Sequence, residues 1–121
     1  MRALALLALS AALAACAPKA APPPVQLDCA QSFEALKAAI TAQPGIDPKP
    51  IEPSEPYRFY SAARGKASYM ITEPGAPAHP AILMQQVGSD HKMVNTGCAF
   101  GDEAAYQELM AYLTGLSRAT K

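Results

Sequence analysis

The sequence holds two histidines, the residue type best suited to general-base catalysis or metal binding near neutral pH. His79 lies in a stiff, proline-flanked segment, and His91 directly follows Asp90. A metal site would require both histidines to converge with a third ligand such as Asp90 or Glu73. Their spacing of twelve residues matches no known zinc pattern. We therefore predict that both are loop histidines and that the chain has no metal site.

No other residue type forms a recognisable catalytic arrangement. Ser61, Ser68 and Ser89 lie in no nucleophile-elbow context, and the glycines form no phosphate-binding loop of the GxGxxG or GxxxxGK type. Cys98 lies next to a glycine and would be a candidate nucleophile only as a free thiol, because a disulfide-bonded sulfur is inert. The sequence predicts no catalytic residues, no cofactor and no enzymatic activity.

Length and charge limit the classes of function. The chain has 121 residues with ten basic and ten acidic side chains, enough for one small domain. Balanced charge without a Lys/Arg cluster predicts no nucleic-acid partner, because phosphate neutralisation dominates such binding. The hydrophobic fraction is 50%, but much of it lies in the first fifteen residues.

Those first residues have the pattern of an export signal. Arg2 precedes an uncharged run from Ala3 to Leu13, which as a helix spans about 16 Å against the roughly 30 Å of a bilayer core. Leu13-Ala14-Ala15-Cys16 then resembles the lipobox of bacterial lipoproteins, in which an apolar residue and two small residues precede a cysteine. The resemblance covers residues 1–16 only.

The lipoprotein resemblance implies an anchored protein. Residues 1–15 would be removed as the signal peptide, and Cys16 would carry diacylglycerol on its sulfur and a further acyl chain, such as palmitate, on its new amine. Two or more acyl chains hold stably in a lipid bilayer, which is thus the first partner implied. Ala17 replaces the aspartate that tends to retain enteric lipoproteins at the inner membrane. The implied location is the cell envelope, at the outer membrane facing the periplasm.

The same resemblance implies how the other two cysteines pair. If Cys16 carries lipid, Cys29 and Cys98 remain to pair in an oxidising compartment. The alternative is an ordinary cleaved signal that leaves Cys16 as a free thiol. Residues 16–24 then form the lipidated N-terminus and a Pro/Ala-rich tether, which as polyproline II would span about 25 Å. Residues 25–121 form a single small periplasmic domain.

Periodicity and turn residues predict the elements of this domain. We expect an amphipathic helix over residues 29–42, capped by Asp28 with Gln31 completing a capping box, and another over 103–117 after Asp102. Strands are predicted over residues 57–61, 67–72, 81–87 and 91–96. The predicted fold is α+β, with the order helix, three or four antiparallel strands, helix along the chain. These elements form a two-layer sandwich that is stapled by one disulfide. Both helices are expected on one face, leaving the other open to water.

A proline-rich segment over residues 44–56 separates the first helix from the strands. Pro50, Pro53 and Pro56 lie three residues apart, on one edge of a polyproline helix. The segment is either a rigid crossover packed on the domain or a docking surface for an aromatic-lined groove. The crossover is favoured, because such ligand motifs need a dedicated reader domain.

Three hypotheses for function remain open. The first is a non-enzymatic lipoprotein whose uncovered sheet face and residues 73–80 bind an envelope protein or a cell-wall component. The second is a periplasmic inhibitor of a lysozyme or protease that presents the same loop, with Pro77, His79 and Pro80 as the interacting residues. The third is a hydrolase or metal-binding protein that uses His79 and His91. The first is favoured.

Overall fold

A five-stranded antiparallel meander forms the centre of the domain. The computed structural model describes residues 22–119. In chain order the elements are α1 (Phe33–Thr41), β1 (Asp47–Pro48), β2 (Tyr57–Ala62), β3 (Ala67–Thr72), β4 (Ala81–Val87), β5 (Met93–Ala99) and α2 (Glu103–Ala119). The α+β class and the order helix–meander–helix are confirmed. The fifth strand is β1, a two-residue piece of the proline-rich segment that pairs with the outer edge of β2.

The two helices pack on opposite faces of the sheet. Alternate residues of a strand point to opposite faces. On β4, Ile82 and Met84 join Leu36 of α1 in one apolar cluster, whereas Leu83 joins Tyr106 of α2 in another. The expectation of two layers, with both helices on one face, is therefore corrected to three layers. The physical reason is that β3 and β4 are apolar on both faces, so each face must be covered.

Helix α1 begins later than its sequence predicts. Its N-cap is Ser32, whose Oγ accepts a hydrogen bond from the Ala35 N–H at 3.1 Å. Asp28 instead shapes the preceding turn, where its carboxylate accepts from the Ala30 N–H and its carbonyl from the Gln31 N–H. The predicted capping box of Asp28 and Gln31 is thus wrong.

A disulfide joins the segment before α1 to the last strand. Cys29 and Cys98 are bonded, with their Cα atoms 5.4 Å apart. Cys98 lies on the α1 face of β5 and is buried. The predicted pairing is confirmed, and it closes a loop of 69 residues in sequence separation around α1 and the first four strands.

Two glycines permit close contacts around β5 and the start of α2. A Cβ on Gly97 would lie 2.5 Å from the Tyr106 hydroxyl oxygen, so α2 packs tightly over this point of β5. A Cβ on Gly101 would lie 2.5 Å from the His79 carbonyl oxygen. Because Gly97 and Cys98 belong to the strand, β5 runs to Ala99 and not to the predicted end at residue 96.

The N-terminal segment is fixed along the α1 face. The Tyr69 hydroxyl donates to the Val25 carbonyl at 2.7 Å, and the Val25 N–H donates to the Gln43 side chain at 3.1 Å. Gln26 and Gln86 exchange two side-chain hydrogen bonds. Burial raises the pKa of the Tyr69 phenol, and its hydrogen bonds to Gln43 and Val25 oppose that rise.

No helix within residues 22–119 combines the length and the apolar character that a bilayer crossing needs.

Candidate functional site

His79 is a structural residue of the loop that precedes β4. Its ring packs edge-on against Phe33 with centroids 5.4 Å apart, and its Nδ1 lies 2.9 Å from the Thr72 hydroxyl oxygen. That buried hydroxyl donates to the Ala81 carbonyl and accepts from the Ala81 N–H. A hydroxyl has only one proton, so when Thr72 donates to the Ala81 carbonyl, the proton in its contact with His79 comes from Nδ1. The imidazole therefore contacts α1 through Phe33 and β3 through Thr72, and the Thr72 hydroxyl connects it to the first residue of β4.

The two histidines do not meet. His79 precedes the first residue of β4 and His91 follows its last, so they lie at opposite ends of a seven-residue strand, about 20 Å long. His91 is exposed in the β4–β5 turn with φ at 65°. Within residues 22–119, no group of three His, Cys, Asp or Glu side chains is placed to hold a metal ion. The hydrolase or metal-binding hypothesis, which needs His79 and His91 to converge, loses its structural basis.

The loop of residues 73–80 is packed against the domain and does not protrude. Ala76 and Ala78 are buried, and hydrogen bonds from Ala76 N–H to the Glu73 carbonyl and from His79 N–H to the Ala76 carbonyl close two successive turns. Pro80 is half-buried and follows a cis peptide bond. Pro77 is the exposed one of the three predicted interaction residues. This packing gives less support to the inhibitor hypothesis, which depends on a protruding loop.

An apolar groove lies between α2 and the β2–β3 half of the same sheet face. Its volume is about 530 Å³. Three segments form its walls: Tyr57, Phe59 and Met70 from the strands, Pro77 and Ala78 from the loop, and Ala105, Leu109, Tyr112, Leu113 and Leu116 from α2. Glu55 and Glu108 are the charged residues along it.

The groove exists because α2 lies to one side of the sheet. The helix packs along β5, where Gly97 allows a close approach, and leaves β2 and the outer part of β3 on that face uncovered. Leu113 is buried, whereas Tyr112 is 64% exposed and Leu116 is also exposed.

Three exposed large apolar residues lie together at this groove. Seven are found in the described part of the chain, and Phe59, Tyr112 and Leu116 all line the groove. A contiguous apolar surface on a soluble domain marks an interaction site more often than scattered exposed residues do. The groove is therefore the candidate functional site.

Sequence reasoning found the residues of this site but not their role. The amphipathic helix predicted over residues 103–117 contains the α2 residues of the groove, and the open sheet face was predicted opposite both helices. The open area lies instead beside α2, on the face that α2 partly covers. The available signal was that the apolar stripe of α2 includes the adjacent residues Tyr112 and Leu113, which cannot both point directly at the sheet.

Cys16 and the signal segment of residues 1–16 lie outside the described residues, so their predicted lipidation stays a prediction. Compared with known proteins, the chain matches no family model, no curated protein and no solved structure.

Proposed function

We propose that this protein is an envelope lipoprotein, anchored through acylated Cys16, whose domain binds an apolar segment of an envelope protein without catalysis. The observation that carries the binding role is the groove on the α2 face, where Phe59, Tyr112 and Leu116 are exposed together.

Two observations support the anchor. Residues 13–16 have the lipobox order directly after a short apolar run. Cys29 and Cys98 are bonded to each other, which leaves Cys16 as the third cysteine of the chain. A structural disulfide in a small domain is also typical of exported proteins.

The chemistry of the groove favours a protein segment as its occupant. Its walls are aliphatic and aromatic, as in grooves that receive the apolar face of an amphipathic helix. A sugar polymer would need more hydrogen-bonding side chains than the tyrosines and carboxylates present here. An anionic ligand such as a fatty acid would be repelled by Glu55 and Glu108. The two carboxylates favour a partner segment with a basic residue beside its apolar side chains.

The anchor is tested by the mass of the protein purified from membranes. Acylation predicts a mature chain that begins at Cys16 and carries a diacylglycerol and a further acyl group. A Cys16→Ala variant is expected to lose the lipid mass. A wild-type chain of unmodified mass contradicts the anchor.

The groove is tested by photocrosslinking in intact cells. A photoreactive phenylalanine replaces Tyr112 in the groove or, as a control, Ile51, which is equally exposed but lies outside it. We expect a discrete adduct from position 112 that is absent from position 51. Peptide sequencing should locate it on an apolar segment next to a basic residue, and Glu108→Lys in the same chain should lower its yield several-fold. An equal adduct from position 51, or an adduct only to lipid or glycan, contradicts the proposal.

A further inference from the structure

The two hairpin turns meet at one end of the domain. The β2–β3 turn over residues 63–66 and the β4–β5 turn over residues 88–92 both lie opposite the end where α2 begins. A hydrogen bond from the Val87 N–H to the Lys66 carbonyl at 3.0 Å joins them. We call this the hairpin end, consisting of residues 63–66 and 87–94.

Positive charge gathers at the hairpin end. Arg64, Lys66 and Lys92 lie in the two turns, and Asp90 is the one carboxylate within them. Arg64 lies at the exposed tip of its turn and adopts a left-handed conformation with φ at 56°. The two ion pairs found within residues 22–119 involve other residues, so none of these three cations forms an ion pair there, and they outnumber the one carboxylate, Asp90.

Apolar residues are exposed at the same place. Val87, Met93 and Val94 are each between 41% and 49% exposed, and they flank the β4–β5 turn. Together with the three that line the groove, they account for six of the seven exposed large apolar residues described. Exposed aliphatic side chains beside lysines and arginines are typical of surfaces that lie on a membrane interface.

The hairpin end is also where the chain leads toward Cys16. Pro22, Pro23 and Pro24 lie beside Arg64, Lys66 and Val87. The residues between Cys16 and Pro22, fully extended, span at most about 20 Å. An anchor at Cys16 therefore keeps this end close to the lipid headgroups.

The opposite end of the domain is acidic. Glu55, Glu73, Asp102 and Glu103 lie there, with Arg58 paired to Glu73. The domain thus carries separated charges although the whole chain has a net charge of zero. A negative membrane surface attracts the hairpin end and repels the acidic end.

We propose that the hairpin end docks on anionic phospholipid headgroups, with Arg64, Lys66 and Lys92 contacting phosphates and Val87 and Met93 entering the interface. The proposal rests on the proposed function in one respect, because acylated Cys16 supplies the proximity. Docking in this orientation turns the acidic end, with Glu55 and Pro77 of the groove, away from the membrane.

The test compares the reactivity of four lysines in the full-length protein from membranes. The protein is placed in phosphatidylcholine vesicles with or without phosphatidylglycerol and treated with a water-soluble amine reagent. Mass spectrometry then gives the labelling rates of Lys66 and Lys92 at the hairpin end, and of Lys37 and Lys49 as internal controls elsewhere. Attraction to an anionic surface is worth about a fivefold change in equilibrium per cation at low salt.

We expect labelling of Lys66 and Lys92 to slow at least fivefold, relative to the controls, on vesicles with phosphatidylglycerol. The effect should disappear at about 1 M salt, where the screening length is about 3 Å. Arg64→Asn keeps a residue that tolerates the left-handed conformation and should reduce the protection, whereas Lys49→Asn should not.

The experiment distinguishes failure of the docking proposal from failure of the proposed lipid anchor. A protein that floats with both kinds of vesicle, but whose four lysines react alike, refutes docking and leaves the anchor intact. A protein that floats only with phosphatidylglycerol vesicles refutes the anchor and supports docking. Protection that requires added peptidoglycan in place of anionic lipid would also overturn the proposal.

Discussion

Removal of the disulfide should cost a large part of the stability of this domain. The perturbation is the double variant Cys29→Ser with Cys98→Ala. Alanine is chosen at position 98 because that side chain is buried and a serine hydroxyl there would need a partner. Cys29 is exposed, so serine is tolerated there.

The expected loss follows from the length of the closed loop. With a sequence separation of 69 residues, loop-closure entropy gives about 4 kcal/mol at 25 °C. A domain of this size has a net free energy of unfolding of about 5–15 kcal/mol. The crosslink therefore supplies between about a quarter and most of it.

Urea unfolding of the full-length protein, followed by far-UV circular dichroism, provides the measurement. At a slope of about 1–2 kcal/mol per molar urea, the midpoint should fall by about 2–4 M. Wild-type protein reduced with dithiothreitol keeps both sulfur atoms in place, and its midpoint should fall by a similar amount. If the double variant and the reduced protein both stay within about 1 kcal/mol of the oxidised wild type, the disulfide does not supply a large part of the stability of the domain.

Three further predictions concern single residues. Thr72→Val should cost about 1–3 kcal/mol of unfolding free energy, because His79 Nδ1 loses its partner, whereas Thr72→Ser should cost far less. Gly101→Ala should lower the unfolding free energy by about 1–3 kcal/mol, because the added methyl group clashes with the His79 carbonyl. Gly115→Ala adds a methyl group in open space on α2 and should raise the unfolding free energy by about 0.5–1 kcal/mol. Thermal unfolding measures both changes. Burial, with help from Glu103, raises the folded-state pKa of the Tyr106 phenol above 10.0. The protonated phenol therefore stabilises the folded state below pH 10, and this contribution is lost as the pH rises above 10. The urea midpoint should fall less between pH 9.5 and 11 in Tyr106→Phe than in the wild type.

Local patterns were sufficient to locate most elements. The limits of β3 and β4 agree with the alternating run ASYMIT and the largely apolar run AILMQQV, and α2 begins where Asp102 caps it through the Ala104 N–H. The start of α1 was missed because Asp28 and Ser32 are both good caps. The helix begins after Ser32, and Cys29 lies in the turn before it, where it is bonded to Cys98.

The layering and the groove depend on information that short windows do not hold. Met70 and Leu83 are apolar on the face opposite Tyr69 and Met84, which in hindsight calls for cover on both faces. Which strands α2 covers is decided by Gly97, whose missing side chain admits Tyr106. A glycine that admits a helix and a glycine that ends a strand look the same in sequence.

The hairpin end and the groove should act independently, because no residue belongs to both. The N-terminal segment runs from Pro22 at the hairpin end to Cys29, where the disulfide fixes it to β5, and the Tyr69 and Gln86 contacts hold it on the way. The segment that leads to the lipid anchor is therefore attached to the α1 face of the sheet, whereas the groove lies on the α2 face. Substitutions at the hairpin end should accordingly change membrane contact without changing the crosslink at Tyr112, as expected for two sites built from different residues.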